Sequence, residues 1–206
     1  RSTPGLLSGS LELLELLAQG ERGVDALARA SALGVTSTSA HLQVLRGARL
    51  VAARRVGARV LYRLMSDEVL RLVIAVRRSA SAHLAEVGRV VDEYFASRDA
   101  LEPVERGELL ARAVRGEVLV LDVRPREEFE AGHIPGAVSV PLDQLRARLD
   151  EIPADSDVVA YCRGPYCVLA PQAVEILAER GIRARRLAEG FPEWRLAGLP
   201  VAVGAG

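Results

Sequence analysis

Residues 157–180 constrain the fold more than any other part of the sequence. An apolar run from Asp157 to Ala160 leads to Tyr161-Cys162, a short loop rich in glycine and proline follows, and a helical pattern runs from Val168 to Arg180. A strand that leads through a tight loop into a helix is typical of a sheet covered by helices. Such a loop holds a sulfur atom where backbone N–H groups and the positive end of a helix converge, which favours a thiolate.

Both cysteines of the chain, Cys162 and Cys167, lie in this loop, and Arg163 lies beside the first of them. The pattern therefore predicts that Cys162 is a nucleophile with a pKa below that of a free thiol, and that it reacts with alkylating agents faster than Cys167. The alternative interpretation is two small buried residues that happen to be cysteine.

Composition narrows the class of protein. The chain has 206 residues, of which 50% are hydrophobic and 26% charged, which is typical of one or two globular domains. No apolar run approaches the roughly 20 residues of a membrane span, and no secretory segment is visible, so we expect no membrane partner. Two cysteines five positions apart form no disulfide framework, so we expect a reducing, cytoplasmic location.

The zero net charge conceals an asymmetry between the two halves. Residues 1–98 contain 14 arginines and 9 acidic residues, whereas residues 99–206 contain 13 arginines and 18 acidic residues. Between Thr36 and Leu64 there are six arginines and no acidic residue: Arg46, Arg49, Arg54, Arg55, Arg59 and Arg63. This density of positive charge suits a phosphate backbone, and the alternative is a solvated surface.

The first half reads as helices followed by a hairpin. Leucines between Leu11 and Leu17 share one helical face, and a Leu33-Gly34 turn separates two further helices, Val24 to Ala32 and Val35 to Arg46. Two predicted strands, Val51 to Arg55 and Arg59 to Leu64, form a β-wing. A long helix begins at Asp67, and its apolar seam, which includes Val73, Val76 and Ala80, predicts pairing between two chains.

The segment from Ser39 to Arg46, with Leu50-Val51 and the wing ending Leu61-Tyr62-Arg63-Leu64, resembles the ArsR family of winged-helix regulators over residues 6–98. Arg49 stands where that family usually has a glycine. The resemblance implies a homodimer, formed through Asp67 to Ser97 and the N-terminal helix, that binds double-stranded operator DNA with its third helix in the major groove. The implied DNA-binding residues are Thr36, Ser37, Thr38, Ser39, His41, Gln43, Arg46, Arg54, Arg55, Arg59 and Arg63.

Metal sensing is not supported by the residues of this half. Residues 1–98 contain no cysteine, and His83 and Glu86 have helix-compatible spacing without an Asp/His pair upstream to complete a site. We expect neither a metal nor a cofactor.

The second half alternates strands with helices, which predicts a parallel sheet covered on both faces. The predicted strands are Val118 to Val123, Ala137 to Val140, Asp157 to Tyr161 and Ala184 to Leu187; the predicted helices are Glu108 to Arg115, Glu127 to Ala131, Leu142 to Leu149, Val168 to Arg180 and Phe191 to Ala197. Cys162 then falls at the carboxyl end of a strand, where sites lie in such sheets. A break near residues 99–104 predicts two domains, 1–98 and 105–206.

Leu121-Asp122-Val123-Arg124, the segment from Glu127 to Ala137, and Gly190-Phe191-Pro192-Glu193-Trp194 together resemble the rhodanese family over residues 105–203. The expected fold is therefore an α+β winged helix-turn-helix domain followed by an α/β rhodanese-like domain with a central parallel sheet. The resemblance implies a persulfide on Cys162, formed from a donor such as thiosulfate or polysulfide. The implied catalytic loop is Cys162, Arg163, Gly164, Pro165, Tyr166, Cys167 and Val168.

Other residues of the motifs have implied roles. The amides of Arg163 to Val168 would cradle the persulfide, and the Arg163 side chain would offer its charge to an anionic donor. Asp122 and His133 would be structural, and Arg124 would line the mouth of the loop. Val168 stands where a phosphatase loop would need an arginine, which argues against phosphoryl chemistry.

Cys167 and the fusion of the two halves leave alternatives open. Cys167 either captures the persulfide in an internal disulfide or a sulfur-bridged pair, or is the buried first residue of a helix. The first functional hypothesis is a transcriptional regulator that senses or transfers sulfane sulfur. The second is a working sulfurtransferase in which the winged helix serves for dimerisation or localisation.

Overall fold

A computed structural model describes residues 6–31, 33–83 and 103–205, and the described residues fall into two units that we treat separately. The predicted domain boundary and the predicted helix beyond His83 lie outside the described residues, as does Glu86. The boundaries 1–98 and 105–206 therefore stay predictions.

The first unit is a winged helix. Its elements are α1 (Leu6–Gln19), β1 (Arg22–Gly23), α2 (Val24–Ala30), α3 (Val35–Gly47), β2 (Val51–Val56), β3 (Arg59–Leu64) and α4 (Asp67–His83). The strands form an antiparallel sheet in the order β1-β3-β2, in which Val56 pairs with Arg59 across a two-residue turn. Gly57 occupies that turn with φ 59°, a backbone conformation that favours glycine.

The leucines of α1 pack inside their own chain. Leu13 and Leu17 of α1 are buried together with Leu27, Leu42 and Leu70 from the other helices. Val73, which the apolar seam of α4 assigned to a second chain, is also buried in this core at 1% exposure. That assignment was wrong because the first two turns of α4 cover their own domain.

Arg49 follows α3 with φ 57°, and it is the one non-glycine residue with positive φ in the described part of the chain. A side chain in this region is strained, which explains why the resemblance places a glycine here.

The second unit is an α/β fold. Its elements are α5 (Arg106–Val114), β4 (Leu119–Asp122), α6 (Arg126–Ala131), β5 (Val138–Ser139), α7 (Leu142–Leu145), a 3₁₀ helix (Arg146–Glu151), β6 (Asp157–Tyr161), α8 (Leu169–Ala178), β7 (Arg183–Arg186) and α9 (Phe191–Leu196). The strands are all parallel, in the order β5-β4-β6-β7.

Side chains of β6 alternate between two cores, one on each face of the sheet. Val158 and Ala160 pack with residues of α8, such as Val174. Val159 and Tyr161 pack on the opposite face with residues that include Trp194 of α9. Because β6 is buried on both faces and ends at Cys162, the first cysteine is held at the carboxyl edge of the sheet.

Candidate functional site

The outward face of α3 carries only part of the predicted DNA-binding set. Thr36, Ser37, Gln43 and Arg46 are exposed, and Ser39 is half-buried. These positions lie three to four residues apart or adjacent, so they share one broad face of the helix.

Thr38 and His41 were wrongly assigned to the DNA surface. Thr38 is 0% exposed and His41 is 7% exposed, because their face of α3 packs on the rest of the domain. The His41 ring shares a hydrogen bond of 2.9 Å with Ser10 Oγ of α1. A Cβ on Gly9 would come within 3.0 Å of the His41 ring, so the two helices approach closely at this point.

Two apolar residues on the outward face of α3 were missed. Ala40 and Val44 are exposed, Val44 at 58%, and they lie one helical turn apart on the face that also carries Thr36 and Gln43. An exposed valine on such a face is suited to contact with a thymine methyl group. The sequence signal for these two residues was their i, i+4 spacing along the predicted helix. It was overlooked because only polar residues of this helix were considered as DNA contacts.

The wing arginines differ in their partners. The Arg54 guanidinium forms an ion pair with Glu21, its Nε lying 2.8 Å from each carboxylate oxygen. Arg46, Arg55, Arg59 and Arg63 are exposed and form no ion pair within the described residues. The charge of Arg54 is thus balanced by an acidic residue that precedes the basic segment in the sequence.

The cysteine loop of the second unit is fixed by its neighbours. The Phe191 N–H donates to the Cys162 carbonyl at 3.1 Å, and the Cys167 N–H donates to the Gly164 carbonyl at 3.1 Å. A Cβ on Gly190 would lie 2.2 Å from the Gly164 nitrogen, so only a glycine lets the start of α9 approach the loop. The Gly190-Phe191 segment therefore packs directly against the loop and fixes the position of its backbone.

The two sulfurs have different environments. Cys162 is buried at 3% exposure, and Cys167 is half-buried. Burial, followed by the hydrogen bond between the two thiols, raises the pKa of Cys162 well above its usual value, although the Ala170 and Gly164 N–H groups oppose this. The hydrogen bond from the Cys162 thiol lowers the pKa of Cys167 to about 6, and the Leu169 and Arg163 N–H groups and the Arg163 charge act in the same direction.

Burial thus acts against the predicted low pKa of Cys162, and the lowered pKa falls on Cys167 of the same pair. The interpretation of Cys167 as the buried first residue of a helix was wrong. Cys167 is half-buried, and α8 begins two residues later, at Leu169. The remaining loop residues differ in burial: Gly164 is buried, Pro165 is half-buried, and Tyr166 and Val168 are exposed.

Arg163 is anchored on the protein instead of extending towards an incoming donor. Its guanidinium binds the carboxylate of Glu128 in α6, with Nη2 lying 2.6 Å and Nε 3.0 Å from Oε1. Glu128 is 0% exposed, whereas the Arg163 side chain is 34% exposed. The sequence analysis missed Glu128, and the signal for it was an acidic residue at a buried position of a predicted helix.

Arg124 does not line the mouth of the loop. It is 0% exposed and forms an ion pair of 2.6 Å with Asp122, which is also 0% exposed. Its guanidinium donates to the Gly132 carbonyl at 2.7 Å and lies 4.4 Å from the Phe191 ring centre. His133 stacks on Phe129 and contacts its carbonyl oxygen at 2.9 Å, so its role, like that of Asp122, is structural.

A cleft of about 510 Å³ opens beside the loop. Its lining residues are Val123, Pro125, Arg126, Glu127, Pro141, Leu142, Asp143, Gln144, Arg163 and Leu169. Within the described residues there is no group of three or more His, Cys, Asp or Glu side chains that could hold a metal ion. The same part of the chain contains no helix long and apolar enough to cross a membrane.

Comparisons with known proteins agree with this architecture. A model of the rhodanese-like domain matches residues 105–197. An HTH-type transcriptional regulator of Mycobacterium tuberculosis, Rv0324, is 49% identical over 195 residues, which are 95% of this chain and 85% of that protein. A sulfurtransferase of Allochromatium vinosum is 36% identical over 91 residues, which are 44% of this chain and 83% of that protein.

One solved structure resembles the first half. The homodimeric winged helix-turn-helix DNA-binding domain Mb0332 of Mycobacterium bovis, a possible ArsR-family transcriptional regulator, is 46% identical with a TM-score of 0.35. The match covers 37% of this chain and 70% of that one.

The fold and the loop define a two-domain protein, with a winged helix-turn-helix first and a rhodanese-like domain second. The similarity to a regulator extends over almost the whole chain. The chain belongs to the family of HTH-type transcriptional regulators that join an ArsR-like winged helix to a rhodanese-like domain.

Proposed function

We propose that this regulator binds operator DNA as a homodimer and senses sulfane sulfur at the loop that carries Cys162 and Cys167. The observation that carries the proposal is that both free cysteines lie in one loop at the carboxyl end of β6, with the Cys162 sulfur buried inside it, in the same chain as an exposed basic wing. Such a loop stabilises a sulfur anion, and such a wing attracts a polyanion.

The DNA-binding part rests on α3 and the wing. Gln43, Ala40 and Val44 face outwards and are suited to contact base edges, whereas Arg55 and Arg59 are suited to contact phosphates. Helix α3 would lie in the major groove, as in other winged helices.

The homodimer rests on α4. Leu72 and Val76 lie one helical turn apart on α4 and are 51% and 42% exposed, whereas Val73 is buried in its own domain. An apolar pair on the outside of a helix suits a second copy of this chain, and a dimer matches an operator with two-fold symmetry. A cytoplasmic location follows from the DNA partner.

The sulfur-sensing part rests on the loop geometry. A sulfane donor such as thiosulfate or polysulfide transfers one sulfur atom to a cysteine thiolate and leaves a persulfide. Four N–H groups, those of Arg163, Gly164, Leu169 and Ala170, hydrogen bond to the two sulfurs and would hold the added negative charge. The anionic persulfide would change the hydrogen bonds of the loop.

The test measures operator affinity with and without a sulfane donor at one salt concentration. A linked effect between two sites is typically worth about 1 to 3 kcal/mol, or roughly 5- to 150-fold in affinity. We expect a change in this range for the wild type and none for the double variant Cys162→Ser/Cys167→Ser, which cannot accept sulfur. Equal affinity before and after full persulfidation of the wild type would contradict the sensing proposal.

A second candidate function is sulfurtransferase catalysis, with the winged helix serving as a dimerisation or localisation module. It is favoured by the similarity to the Allochromatium sulfurtransferase and by the match of residues 105–197 to the rhodanese-like domain. Turnover separates the two functions, because a sensor needs one sulfur atom per event and an enzyme needs many. Release of many sulfite molecules per chain from thiosulfate, with an acceptor thiol in excess, would favour the enzyme.

A further inference from the structure

The two cysteines of the loop differ in how a donor can reach them. Cys162 ends strand β6 and is 3% exposed, whereas Cys167 lies in the loop before α8 and is half-buried. The Cys162 sulfur lies 3.6 Å from the Cys167 carbonyl oxygen and 3.9 Å from the Gly164 carbonyl oxygen, so it points into the loop. A molecule arriving from solvent meets Cys167 first.

Two residues that line the cleft beside the loop also contact the Cys167 sulfur through their backbone. Arg163 and Leu169 belong to the cleft wall, and the backbone N–H groups of these two residues hydrogen bond to the Cys167 sulfur. The Arg163 guanidinium adds positive charge near this sulfur while it is fixed by Glu128. An anionic donor therefore finds at Cys167 a partly exposed sulfur, two N–H groups and an oriented cation.

Access matters more here than acidity. A thiol of pKa about 6 is mostly ionised at neutral pH, roughly 30-fold more than a free thiol of pKa about 8.5. The lower pKa also makes the thiolate a weaker nucleophile by about tenfold, so the net gain is only about threefold. The larger difference between the cysteines is that Cys162 is buried, and a buried thiol in contact with carbonyl oxygens is both protonated and shielded.

We propose that Cys167 captures the sulfur atom and passes it to Cys162, so that the loop works as a two-cysteine relay. This proposal rests on the sulfur-sensing function above and names the residue at which the sulfur enters. Cys162 is then the protected store of the persulfide, with the Gly164 and Ala170 N–H groups as its hydrogen-bond donors.

Both steps balance without an outside oxidant. The Cys167 thiolate attacks the sulfane sulfur of thiosulfate, the S–S bond of thiosulfate breaks, and sulfite leaves with the bonding electrons. Cys162 then attacks the outer sulfur of the Cys167 persulfide, and the Cys167 sulfur leaves. The proton of the Cys162 thiol passes along the existing hydrogen bond to the Cys167 sulfur, so the products are a Cys162 persulfide anion and a Cys167 thiol.

The sequence allows the two cysteines to be followed separately. Trypsin cleaves after Arg148, Arg163 and Arg180, which places Cys162 in fragment 149–163 and Cys167 in fragment 164–180. The full-length chain is mixed with thiosulfate or polysulfide, quenched with iodoacetamide at short times, digested and analysed by mass. We expect the extra sulfur first on fragment 164–180 and later on fragment 149–163.

Single variants test the order of the steps. In Cys167→Ser, we expect loading of Cys162 to slow by about tenfold or more, because the partly exposed thiolate is gone. In Cys162→Ser, we expect the extra sulfur to stay on Cys167, because the accepting thiol is gone while the serine hydroxyl still donates a hydrogen bond. Cys162→Ala is the matched control, because it removes that donor and should raise the pKa of Cys167 in a pH profile of alkylation.

The possible outcomes separate the relay from the sensing function. Loading of Cys162 in Cys167→Ser at the wild-type rate would overturn the relay and leave the sensing function standing. A disulfide between fragments 149–163 and 164–180 with release of sulfide would overturn the second step, since Cys162 would then have attacked the inner sulfur. If neither fragment gains sulfur from either donor, the sensing function itself fails.

Discussion

In the winged-helix half, five of the six arginines between Thr36 and Leu64 form no ion pair within the described residues, whereas at least nine of the thirteen in the rhodanese-like half are paired with a carboxylate. The charge of arginine in the second half is thus largely balanced by carboxylates of the same half. Arginine in the basic segment of the first half remains available to a polyanion. Ion pairing, and not arginine content, distinguishes the basic segment from the rhodanese-like half, because the two halves contain almost equal numbers of arginines.

The depth of the pairs also differs within the rhodanese-like half. The Asp122–Arg124 pair is fully buried beneath the loop, and the Glu128–Arg163 pair joins a buried carboxylate to a partly exposed guanidinium. The Arg146–Glu179 pair lies on the surface, with both side chains more than half exposed. Buried charges depend on their partners far more than exposed ones do, so the pairs near the loop should matter most.

The largest effect is expected for Arg124→Leu. The substitution leaves the Asp122 carboxylate buried without its cation, and losing one partner of a buried pair typically costs about 3 to 5 kcal/mol. Trp194 is the single tryptophan of the chain and is buried in the rhodanese-like half, so its fluorescence reports the unfolding of that half in urea. We expect a large decrease in the urea midpoint for this signal.

Arg146→Leu is the matched control, since it removes an equal charge from an exposed pair of the same half. We expect its midpoint to stay close to that of the wild type. Similar midpoints for Arg124→Leu and Arg146→Leu would contradict the distinction between buried and exposed pairs.

A smaller loss of stability is expected for Gly190→Ala. The added methyl group would overlap the Gly164 backbone at 2.2 Å, so the loop or the start of α9 must move, and overpacking of this kind costs about 1 to 3 kcal/mol. Because the loop that meets this methyl group carries Cys162, sulfur loading should fall by more than the loss of stability explains. Thermal unfolding followed by Trp194 fluorescence, together with intact-mass analysis of sulfur loading, measures both effects.

Gly107→Ala in α5 provides the comparison, because a Cβ there meets no atom within 4 Å and alanine favours a helix. We expect Gly107→Ala to load sulfur normally. Normal loading by Gly190→Ala as well would show that the Gly190-Phe191 segment does not shape the loop.

Much of the fold was predictable from local patterns. The predicted strand Asp157 to Tyr161 is confirmed at both ends, because it has a clear apolar run between glycine or proline breaks. The predicted helices that lie wholly within the described residues are confirmed to within a few residues, except that the second half of Leu142 to Leu149 is a 3₁₀ helix. The two-residue strand β1 was missed, since a strand that short has no period of its own and exists only through its pairing with β3.

The site was less predictable because it depends on contacts between distant residues. The positions of Thr38 and His41 followed from which face of α3 meets α1, and residue type alone suggested the opposite. The partners of Arg54 and Arg163 lie 33 and 35 positions away in the sequence. The proposed entry of sulfur at Cys167 depends on the relative burial of the two cysteines, which a loop sequence does not reveal.

The smallest effect, and the most direct test of the contrast between the halves, concerns the wing. Arg55 and Arg59 are exposed in the wing and form no ion pair within the described residues, so both are suited to contact phosphates. We expect Arg55→Ala/Arg59→Ala to weaken binding to every DNA sequence and to flatten the slope of log affinity against log salt by about one to two units. A salt titration with operator and random DNA measures both slopes.

Arg180→Ala/Arg183→Ala provides the matched control, because it removes the same two charges from exposed positions of the rhodanese-like half. If the wing alone contacts phosphates, this control leaves the slope unchanged, since counterion release counts only the phosphates that are neutralised at the interface. The single substitution Arg54→Ala should change the slope less than Arg55→Ala or Arg59→Ala alone, because Glu21 already balances the charge of Arg54. Equal flattening by the wing variant and the control would mean that net charge, and not the unpaired arginines of the wing, determines DNA binding.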